Sequence, residues 1–293
     1  MQKVICFGEV LWDCFPNEKQ IGGAPLNVAL HLKKQGFESK LISAVGGDED
    51  GKDILEFIRN QHSDTSLLQT HGSLPTGTVQ VHLDAANQAT YTIVAPVAWD
   101  EIQLEERAIA EVKQAEAFVF GSLACRSETS RKTLLRLIDE AKFRVFDMNL
   151  RPPHFTSEIL EQLIAKTDFL KLNEHELEYL CKQYALAGKT EDEQIIAVAK
   201  KFKMNTVCVT LGERGALVFS NNKLYKHFGY EVEVADTVGA GDAFLATFIK
   251  GLLDKEPVEK TIKLACAAGA LVASKAGANP DYTIKNVNDL ILR

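Results

Sequence analysis

Short apolar segments alternate with segments of helical periodicity along most of this chain, and this alternation restricts the fold more than any other feature. The apolar segments include KVICFG, KLISAVG, AFVFGS, FRVFDMN, DFLKLN and TVCVTLG. Between them, apolar residues recur every three or four positions, as at Ile159, Leu160, Leu163 and Ile164. This pattern predicts an α/β fold with right-handed βαβ units, in which a doubly wound, mostly parallel sheet carries helices on both faces.

One region departs from the alternation. Segments 78–83 and 90–94 have the pattern of two strands, with a polar turn near Ala86 and Asn87 between them. Because no helix separates these strands, they are predicted to pair antiparallel outside the main sheet. Together with the stretch LWDCFPNEKQIGG, they predict a small β lid.

The chain shows no linker, repeat or low-complexity tract, so residues 1–293 are predicted to form one domain. The predicted lid is contributed by about 11–22 and 75–99. After TLGERG the pattern changes to a hairpin, ALVFS-NN-KLYKHF, which is followed by the alternating stretch EVEVA. The last third is predicted to end in two long helices.

Composition and charge argue against several classes of protein. The formal net charge of −7 and the lack of a basic block disfavour a nucleic-acid binder. No apolar run reaches the roughly 18 residues that a membrane span needs, and the N-terminal segment lacks the pattern of a signal peptide. Reduced, buried thiols and a cytoplasmic location are expected because the six cysteines form no C-x-x-C pair: Cys6, Cys14, Cys125, Cys181, Cys208 and Cys266.

The segment DTVGAGDAF places Gly239, Ala240 and Gly241 directly before Asp242 and an apolar helix. The start of a helix presents unpaired N–H groups and the positive end of the helix dipole, which favour an anion. Phosphoryl transfer to an alcohol needs a base near the acceptor and fixed donors near the transferring group. This motif supplies candidates for both, although a glycine-rich turn capped by an Asp is the structural alternative.

Other phosphate, dinucleotide and metal motifs fail on spacing. The GKT at 188–190 lacks the required glycine five positions earlier, where Gln183 stands, and it follows a helical segment instead of a strand. The first strand is not followed by G-x-G-x-x-G, which disfavours a nicotinamide-dependent dehydrogenase. His175 has no second histidine at the zincin spacing.

DTVGAGDAF resembles the C-terminal signature of the ribokinase/PfkB family of carbohydrate kinases. GGAPLNVALHL at 22–32 is similar to the N-terminal glycine motif of that family, and three further motifs follow in the family's order. These are DMNLR at 147–151, LNEHE at 172–176 and TLGERGA at 210–216. The resemblance covers almost the whole chain, and it implies a ribokinase-like α/β fold with a β lid and the ATP-dependent phosphorylation of a sugar hydroxyl.

The resemblance also implies roles for individual residues. Asp242 corresponds to the catalytic base, and the N–H groups of Gly239, Ala240 and Gly241 correspond to an anion hole. Asn173 and Glu176 correspond to an N-x-x-E element that organises Mg²⁺ and the nucleotide phosphates, with Glu176 acting through water. The alternative for LNEHE is a helix cap.

Further ATP-binding positions follow from the same motifs. Thr210, Gly212 and Gly215 correspond to a loop passing close to the nucleotide, for which a simple hairpin turn is the alternative. Arg151 corresponds to a residue that reaches the phosphates or the acceptor, for which a surface ion pair is the alternative. The main chain of Asp236 and Thr237, beside the loop ASKAGANP, resembles a binding site for a monovalent cation such as K⁺.

The acceptor site is implied by positions near the N-terminus. Asp13, Gly22, Gly23 and Asn27 match sugar-binding positions, and a carboxylate with an amide suits vicinal hydroxyls. The alternatives are a solvated turn for Asp13 and a helix start for Asn27. Trp99, in APVAWDEI, corresponds to a residue that packs on the sugar, or else it belongs to the core of the lid.

GGAPLNVA and GE-x-LWD-x-x-P are more similar to fructokinases than to ribokinases, so the resemblance implies fructose as the acceptor. Ribose, 2-keto-3-deoxygluconate and nucleosides stay open as alternatives, and so does a non-catalytic sugar-binding relative. The implied cofactors are ATP and Mg²⁺, with K⁺ as an addition. The implied partners are a sugar and ATP, without nucleic acid or membrane, and a homodimer formed through the lid.

Overall fold

Strands and helices alternate through residues 2–15, 18–83 and 89–292, which the computed structural model describes. The strands are β1 (Lys3–Phe7), β2 (Leu11–Cys14), β3 (Lys19–Gly22), β4 (Glu38–Gly46), β5 (Leu68–His71), β6 (Gly77–Leu83), β7 (Ala89–Ile93), β8 (Ala117–Phe120), β9 (Arg144–Asp147), β10 (Phe169–Asn173), β11 (Thr206–Thr210), β12 (Ala216–Ser220) and β13 (Lys223–His227).

The helices are α1 (Ala24–Lys34), α2 (Glu49–Asn60), α3 (Glu106–Gln114), α4 (Glu128–Ile138), α5 (Ser157–Ile164), α6 (Glu174–Gln183), α7 (Glu191–Phe202), α8 (Ala240–Leu253), α9 (Val258–Ala273) and α10 (Ile284–Ile291). Short 3₁₀ turns lie at Ala98–Glu101, Leu123–Arg126 and Gly212–Arg214.

The main sheet has nine strands in the order β13-β12-β11-β10-β9-β8-β1-β4-β5. The strands from β11 to β5 pair in parallel, and β12 and β13 add an antiparallel hairpin at one edge. The predicted doubly wound, mostly parallel sheet is therefore confirmed. β5 was not predicted, because its four residues LQTH carry little apolar signal.

Two hydrophobic clusters cover the two faces of this sheet. One contains buried residues of α3, α4, α5, α6 and α7, and the other contains buried residues of α1, α2, α8 and α9. Each cluster takes alternate residues of the central strands, as β1 shows: Ile5 and Phe7 face one cluster, whereas Val4 and Cys6 face the other. Helices on both faces, as predicted, leave the carboxyl ends of the strands accessible for a site.

A second sheet of four strands has the order β3-β2-β6-β7. β2 pairs antiparallel with β3 and parallel with β6, and β6 pairs antiparallel with β7. The two predicted antiparallel strands therefore stand outside the main sheet. The turn predicted near Ala86 and Asn87 lies outside the described residues.

Two parts of the C-terminal region differ from the expected pattern. The alternating stretch 231–235 is not a strand, because the chain turns at Gly229 (φ +82°) and then runs beside α9. There the N–H groups of Ala235 and Asp236 donate to the carbonyl of Ala273. A third helix, α10, follows the two predicted ones and is capped by Thr283, whose hydroxyl accepts from the N–H of Asn286.

No helix among the described residues is long and apolar enough to span a membrane. All six cysteines are free thiols, and five of them are buried.

Candidate active site

The order of strands in the main sheet reverses next to β1, because β4 continues on one side of it and β8 on the other. Such a reversal opens a crevice at the carboxyl ends of the strands, where α/β proteins bind ligands. Glu9 follows β1 at this edge, Asp147 ends β9, and Asn173 ends β10. Asp242 reaches the same region from the first turn of α8.

The carboxyl group of Asp242 is partly buried and accepts a hydrogen bond of 2.9 Å from Nδ2 of Asn27. Burial raises the pKa of Asp242 from 3.8 to about 6, and the negative charge of Asp147 acts in the same direction. The charges of Lys171 and Arg151 and the hydrogen bond from Asn27 oppose this shift. A carboxyl group with this pKa is ionised at neutral pH and accepts a proton more readily than an exposed Asp does.

The backbone at the start of α8 presents several free donors. Gly239 has φ +78°, and a Cβ atom there would clash with the carbonyl of Ala278, so only glycine fits this turn. The N–H groups of Gly239, Gly241 and Asp242 have no acceptor within the described chain. The prediction for Ala240 is wrong in this conformation, because its N–H donates to the carbonyl of Thr237 at 3.3 Å.

A buried ion pair lies directly beneath this turn. Nζ of Lys171 is 2.9 and 3.1 Å from the two carboxylate oxygens of Asp147, and both side chains are less than one-tenth exposed. The ammonium is also 3.5 Å from the position that a Cβ atom on Gly241 would occupy. Burial opposes the charge of Lys171, but neighbouring carboxylates outweigh burial and hold its pKa above the ordinary value. Sequence reasoning missed Lys171, although a lysine inside the apolar strand FLKLN was a usable signal.

Asn173 and Glu176 form the capping box that the sequence offered as an alternative. Oδ1 of Asn173 accepts from the N–H of Glu176 at 2.9 Å, and Oε2 of Glu176 accepts from the N–H of Asn173 at 2.8 Å. Oε1 of Glu176 accepts from the N–H of Leu150 at 2.8 Å. Burial raises the pKa of Glu176, and the charge of Lys171 opposes that shift. Both carboxylate oxygens are therefore engaged with the backbone.

Thr210 lies beside Asn173, because the two residues are partners in the parallel register of β10 and β11. The hydroxyl of Thr210 donates to the carbonyl of Leu172 at 3.3 Å. Gly215 has φ +85° and closes the connection from β11 to β12, where a Cβ atom would clash with the carbonyl of His227. A Cβ atom on Gly212 would meet nothing within 4 Å, so this side of the turn is open.

The predicted acceptor residues lie at the start of α1 and on β2. Burial raises the pKa of Asp13 to about 6, and the charge of Arg151 opposes that shift. A Cβ atom on Gly22 would clash with Oδ2 of Asp13, so this glycine makes room for the carboxylate. Gly23 has φ +113° and stands at the N-cap position of α1.

Asn27 is 4% exposed, and its amide is bonded within the protein. Nδ2 donates to Asp242, and Oδ1 accepts from Nδ2 of Asn279 at 2.6 Å. The structure thus places Asn27 against the candidate base, with both ends of its amide in use, instead of presenting a free amide to a sugar.

Arg151 is exposed and donates to the carbonyl of Leu150 at 3.0 Å. Its positive charge opposes the rise that burial causes in the pKa values of Glu9, Asp13 and Asp242. Glu9 was missed from the sequence. Its side chain is 4% exposed, burial raises its pKa to about 7, and Oε2 has no hydrogen-bond partner among the described residues.

A family model described as pfkB family carbohydrate kinase matches residues 1–285. This chain belongs to the pfkB family. A fructokinase of Salmonella typhimurium is 30% identical over 297 residues, which cover 94% of each protein. An uncharacterized sugar kinase of Pyrococcus horikoshii is 31% identical to this chain over 272 residues, which cover 89% of this chain and 83% of that protein.

Solved structures share the fold of this pfkB kinase. The crystal structure of the Pyrococcus horikoshii protein superimposes with a TM-score of 0.82 at 26% identity, covering 99% of this chain and 100% of that one. A fructokinase from Xylella fastidiosa with bound ATP superimposes with a TM-score of 0.86 at 21% identity, covering 99% and 98% of the two chains. The ribokinase-like fold is confirmed by these likenesses.

Trp99 of this pfkB kinase lies in the hydrophobic core. Its side chain is fully buried, and the guanidinium carbon of Arg126 lies 4.0 Å from the centre of its ring. Arg126 in turn pairs with Asp100. Because the indole presents no surface, it cannot pack on a sugar in this conformation, and it lies in the core of the main sheet instead of the core of the lid.

The loops around Asp236 are tied together by its carboxylate. Oδ1 accepts from the N–H of Val238 at 3.0 Å, and Oδ2 accepts from the N–H of Gly277 at 3.1 Å. The carbonyl of Thr237 accepts from Ala240. Asp236 thus holds the two segments in which the cation site was predicted.

The residues of the crevice suit the phosphates of a nucleotide. Three free N–H groups and the ammonium of Lys171 converge on the start of α8, where they favour an anion. In the described ranges, no group of three or more His, Cys, Asp and Glu side chains is arranged to hold a metal ion. In kinases, Mg²⁺ is usually held by one or two carboxylates together with substrate phosphates and water.

Proposed function

We propose that this carbohydrate kinase transfers the γ-phosphoryl group of ATP to a hydroxyl of fructose, with Asp242 as the base. The observation that carries the proposal is the juxtaposition of a carboxyl group with a raised pKa and the free N–H groups of Gly239, Gly241 and Asp242. ATP is supported by the fructokinase of Xylella fastidiosa, which was solved with ATP bound on the same fold.

The reaction follows from these groups. Asp242 accepts the proton of the sugar hydroxyl, and the oxygen forms a bond to the γ-phosphorus while the bond to the bridging oxygen of ADP breaks. ADP leaves with that electron pair. The free N–H groups and Lys171 stabilise the negative charge on the phosphoryl oxygens. Mg²⁺, when bound, supplies further neutralisation of phosphate charge, and Glu176 is proposed to contact its water shell.

The proposed nucleotide and cation contacts follow the predicted motifs. Asn173, Thr210, Gly212 and Gly215 line the proposed path of the nucleotide at the ends of β10 and β11. Arg151 is proposed to reach the phosphates or the acceptor from the rim of the site. The main chain at Asp236 and Thr237 is proposed to bind K⁺.

Fructose as the acceptor is supported by the fructokinase of Salmonella typhimurium and by the motifs at the N-terminus. Asp13, with the space that Gly22 leaves for its carboxylate, is proposed to bind the sugar hydroxyls. A buried carboxylate rejects a ligand that leaves it unpaired, which favours one arrangement of hydroxyls over others.

The test measures ADP release with ATP-Mg²⁺ and a panel of fructose, ribose, 2-keto-3-deoxygluconate and a nucleoside. For the wild type, we expect turnover with fructose above the other acceptors. Asp242→Asn should lose at least ~10²-fold in kcat, because general base catalysis contributes about that factor or more. Unchanged turnover in folded Asp242→Asn excludes the base assignment, and a preference for another acceptor excludes fructose.

The four-stranded sheet is proposed to act as a lid over the bound sugar. Asp13 lies on β2 of this sheet, so closure would carry the carboxylate toward the acceptor and exclude water. Crystal structures of the free protein and of its complex with sugar and a nucleotide analogue test this proposal. An identical position of the sheet in both would contradict it.

We propose the same sheet as the contact of a homodimer in the cytoplasm. Tyr91 on β7 is 64% exposed, which leaves an aromatic side chain available for a partner subunit. The free thiols suit a reducing compartment. Sedimentation of the wild type and of Tyr91→Lys tests the contact, and an unchanged mass between them counts against it.

A further inference from the structure

The amide of Asn27 lies between two side chains that are far apart in the sequence. Nδ2 of Asn27 is 2.9 Å from Oδ2 of Asp242, and Oδ1 of Asn27 is 2.6 Å from Nδ2 of Asn279. Asn279 is therefore connected to the proposed base through one intervening side chain. Oδ1 of Asn279 is buried and has no partner among the described residues, so the hydrogen bond to Asn27 is the contact that this amide makes.

The two ends of an amide are chemically different, and this difference fixes the orientation of Asn27. A carbonyl oxygen accepts and an NH₂ group donates, so a donor at Asn279 keeps Oδ1 of Asn27 on its own side. The NH₂ group of Asn27 then faces the carboxylate of Asp242. A rotation of the amide by half a turn would bring two oxygens together at Asp242 and two NH₂ groups together at Asn279.

We propose that Asn279 is a positioning residue, which holds the donor end of Asn27 against the carboxylate of Asp242 and so favours the ionised form of the base. This inference rests on the proposed function of Asp242. The proposal gives the loop after α9 a role in proton transfer. Asn279 acts there through Asn27 and does not itself contact Asp242.

The loop that carries Asn279 is itself attached to α1. Nζ of Lys34 donates to the carbonyls of Asn279 and Pro280 at 2.8 and 2.9 Å. Nε2 of His31 lies 3.0 Å from the carbonyl of Ala278, which can only accept, so this nitrogen carries the proton. Nδ1 of His31 then accepts from the hydroxyl of Tyr282 at 3.0 Å.

Burial lowers the pKa of His31 to about 3, so the histidine is neutral and this arrangement persists across the working pH range. The backbone of the loop is thus fixed independently of the Asn279 side chain. A change in that side chain can therefore be examined without releasing the loop.

Other charges also act on Asp242 and set the background for a pH measurement. Asp147 at the end of β9 raises its pKa, whereas Lys171 on β10 and Arg151 after β9 lower it. The groups that face Asp242 from neighbouring elements are Asn27, Asp147, Arg151, Lys171, Glu9 and Cys6. None of these groups changes in the Asn279 variants, so a shift in Asn279→Ala reports the path through Asn27. Asn279→Asp also adds a negative charge near Asp242, which raises the pKa of Asp242 directly.

The test compares pH profiles of kcat/KM for Asn279→Ala and Asn279→Asp with the wild type, because kcat/KM reports groups of the free enzyme. Asn279→Ala removes the donor. In Asn279→Asp, the new carboxylate can only accept, so it attracts the NH₂ group of Asn27. Oδ1 of Asn27 then turns toward Asp242. We expect the midpoint of the acidic limb to rise by at least ~0.5 pH unit for Ala and further for Asp, since a hydrogen bond to a charged group has about that effect or more.

Asn222→Asp is the matched control, because it makes the same substitution in the exposed turn between β12 and β13. Its midpoint should equal that of the wild type. A midpoint that stays unchanged in both folded Asn279 variants overturns the proposal. If Asn279→Ala does not fold, Asn279→Asp is compared in the wild-type and Asn27→Ala backgrounds, because a direct effect of its charge persists without Asn27.

A second measurement repeats Asn279→Ala in an Asn27→Ala background. If Asn279 acts through Asn27, the shift disappears in that background, and a shift of the same size in both backgrounds overturns the proposal. Failure of this inference differs from failure of the proposed function. Unchanged turnover in Asp242→Asn removes the base, whereas unmoved profiles alongside an inactive Asp242→Asn remove only the role of Asn279.

Discussion

The ammonium of Lys171 contacts both carboxylate oxygens of Asp147, beneath the backbone turn that begins α8. Glu176 and Asp242 add negative charge to the same region and raise the pKa of the lysine further. One cation is therefore shared by several carboxyl groups in a place with little solvent. Removal of one partner of such a pair leaves a buried charge without compensation.

Lys171→Met is expected to lose ~3–5 kcal/mol of unfolding free energy, because Asp147 would be left buried and unpaired. Chemical denaturation measures this loss. Lys171→Met with Asp147→Leu should recover most of the stability, because no charge is then buried alone, yet the KM for ATP should remain raised in both variants.

Lys166→Met is the control for a surface pair. Nζ of Lys166 contacts Asp139 at 2.5 Å, and both side chains are about a third or more exposed. Its loss should cost at most about 1 kcal/mol and leave the KM for ATP unchanged. If Lys171→Met costs no more than this control, the buried pair does not have the role argued above.

Activity is expected to rise with pH through about 6. Asp242 must be ionised to accept a proton and Asp13 to bind the sugar hydroxyls, and burial raises the pKa values of both to about 6. Two groups that titrate together make the acidic limb of kcat/KM steeper than a single ionisation does. Asp13→Asn should reduce the limb to the slope of one proton, and a one-proton limb in the wild type would show that only one of the two groups matters.

Asp242→Asn is expected to stabilise the fold at neutral pH. The folded-state pKa of Asp242 is about 6 and the ordinary value is 3.8, so the unfolded chain releases this proton first as pH rises. As the pH rises from 4 to 6, the unfolding free energy of the wild type therefore falls by ~1–3 kcal/mol in total. The amide that replaces the carboxyl group in the variant does not ionise, so the variant does not lose this stability. Thermal unfolding should show equal stabilities of the two proteins near pH 4 and a difference at pH 7, and a difference of the same size at both would contradict the argument.

The fold followed from local patterns, but part of the site did not. The roles of Asp242 and of the glycines before it were predicted because the anion-binding turn and the base are adjacent in the sequence, at residues 239–242. Asn279 lies 252 positions from Asn27, so no spacing in the sequence connects them. Lys171 pairs with Asp147 across two neighbouring strands, and that contact depends on the order of strands in the sheet.

Trp99 shows the opposite case, in which local pattern suggested a site and packing decided against it. The segment APVAWDEI was expected to place Trp99 on the sugar or in the core of the lid, yet the indole is buried against Arg126 in the main core. α10 was missed because it is short and its few apolar residues pack mainly against α9. In both cases the contacting surface comes from distant parts of the chain.

Gly239→Ala is expected to lose both stability and activity, and Gly36→Ala separates the two causes. Both glycines have positive φ, +78° and +89°, so an alanine at either position has the same unfavourable backbone conformation, which costs ~1–2 kcal/mol. A Cβ atom on Gly36 would meet nothing within 4 Å, whereas one on Gly239 would clash with the carbonyl of Ala278 and move the N–H groups before Asp242. Gly36→Ala should therefore keep the kcat of the wild type, and Gly239→Ala should lower kcat at least ~10²-fold, since loss of one oxyanion donor has about that effect. Equal kcat values in the two variants would show that this turn does not hold the transferring group.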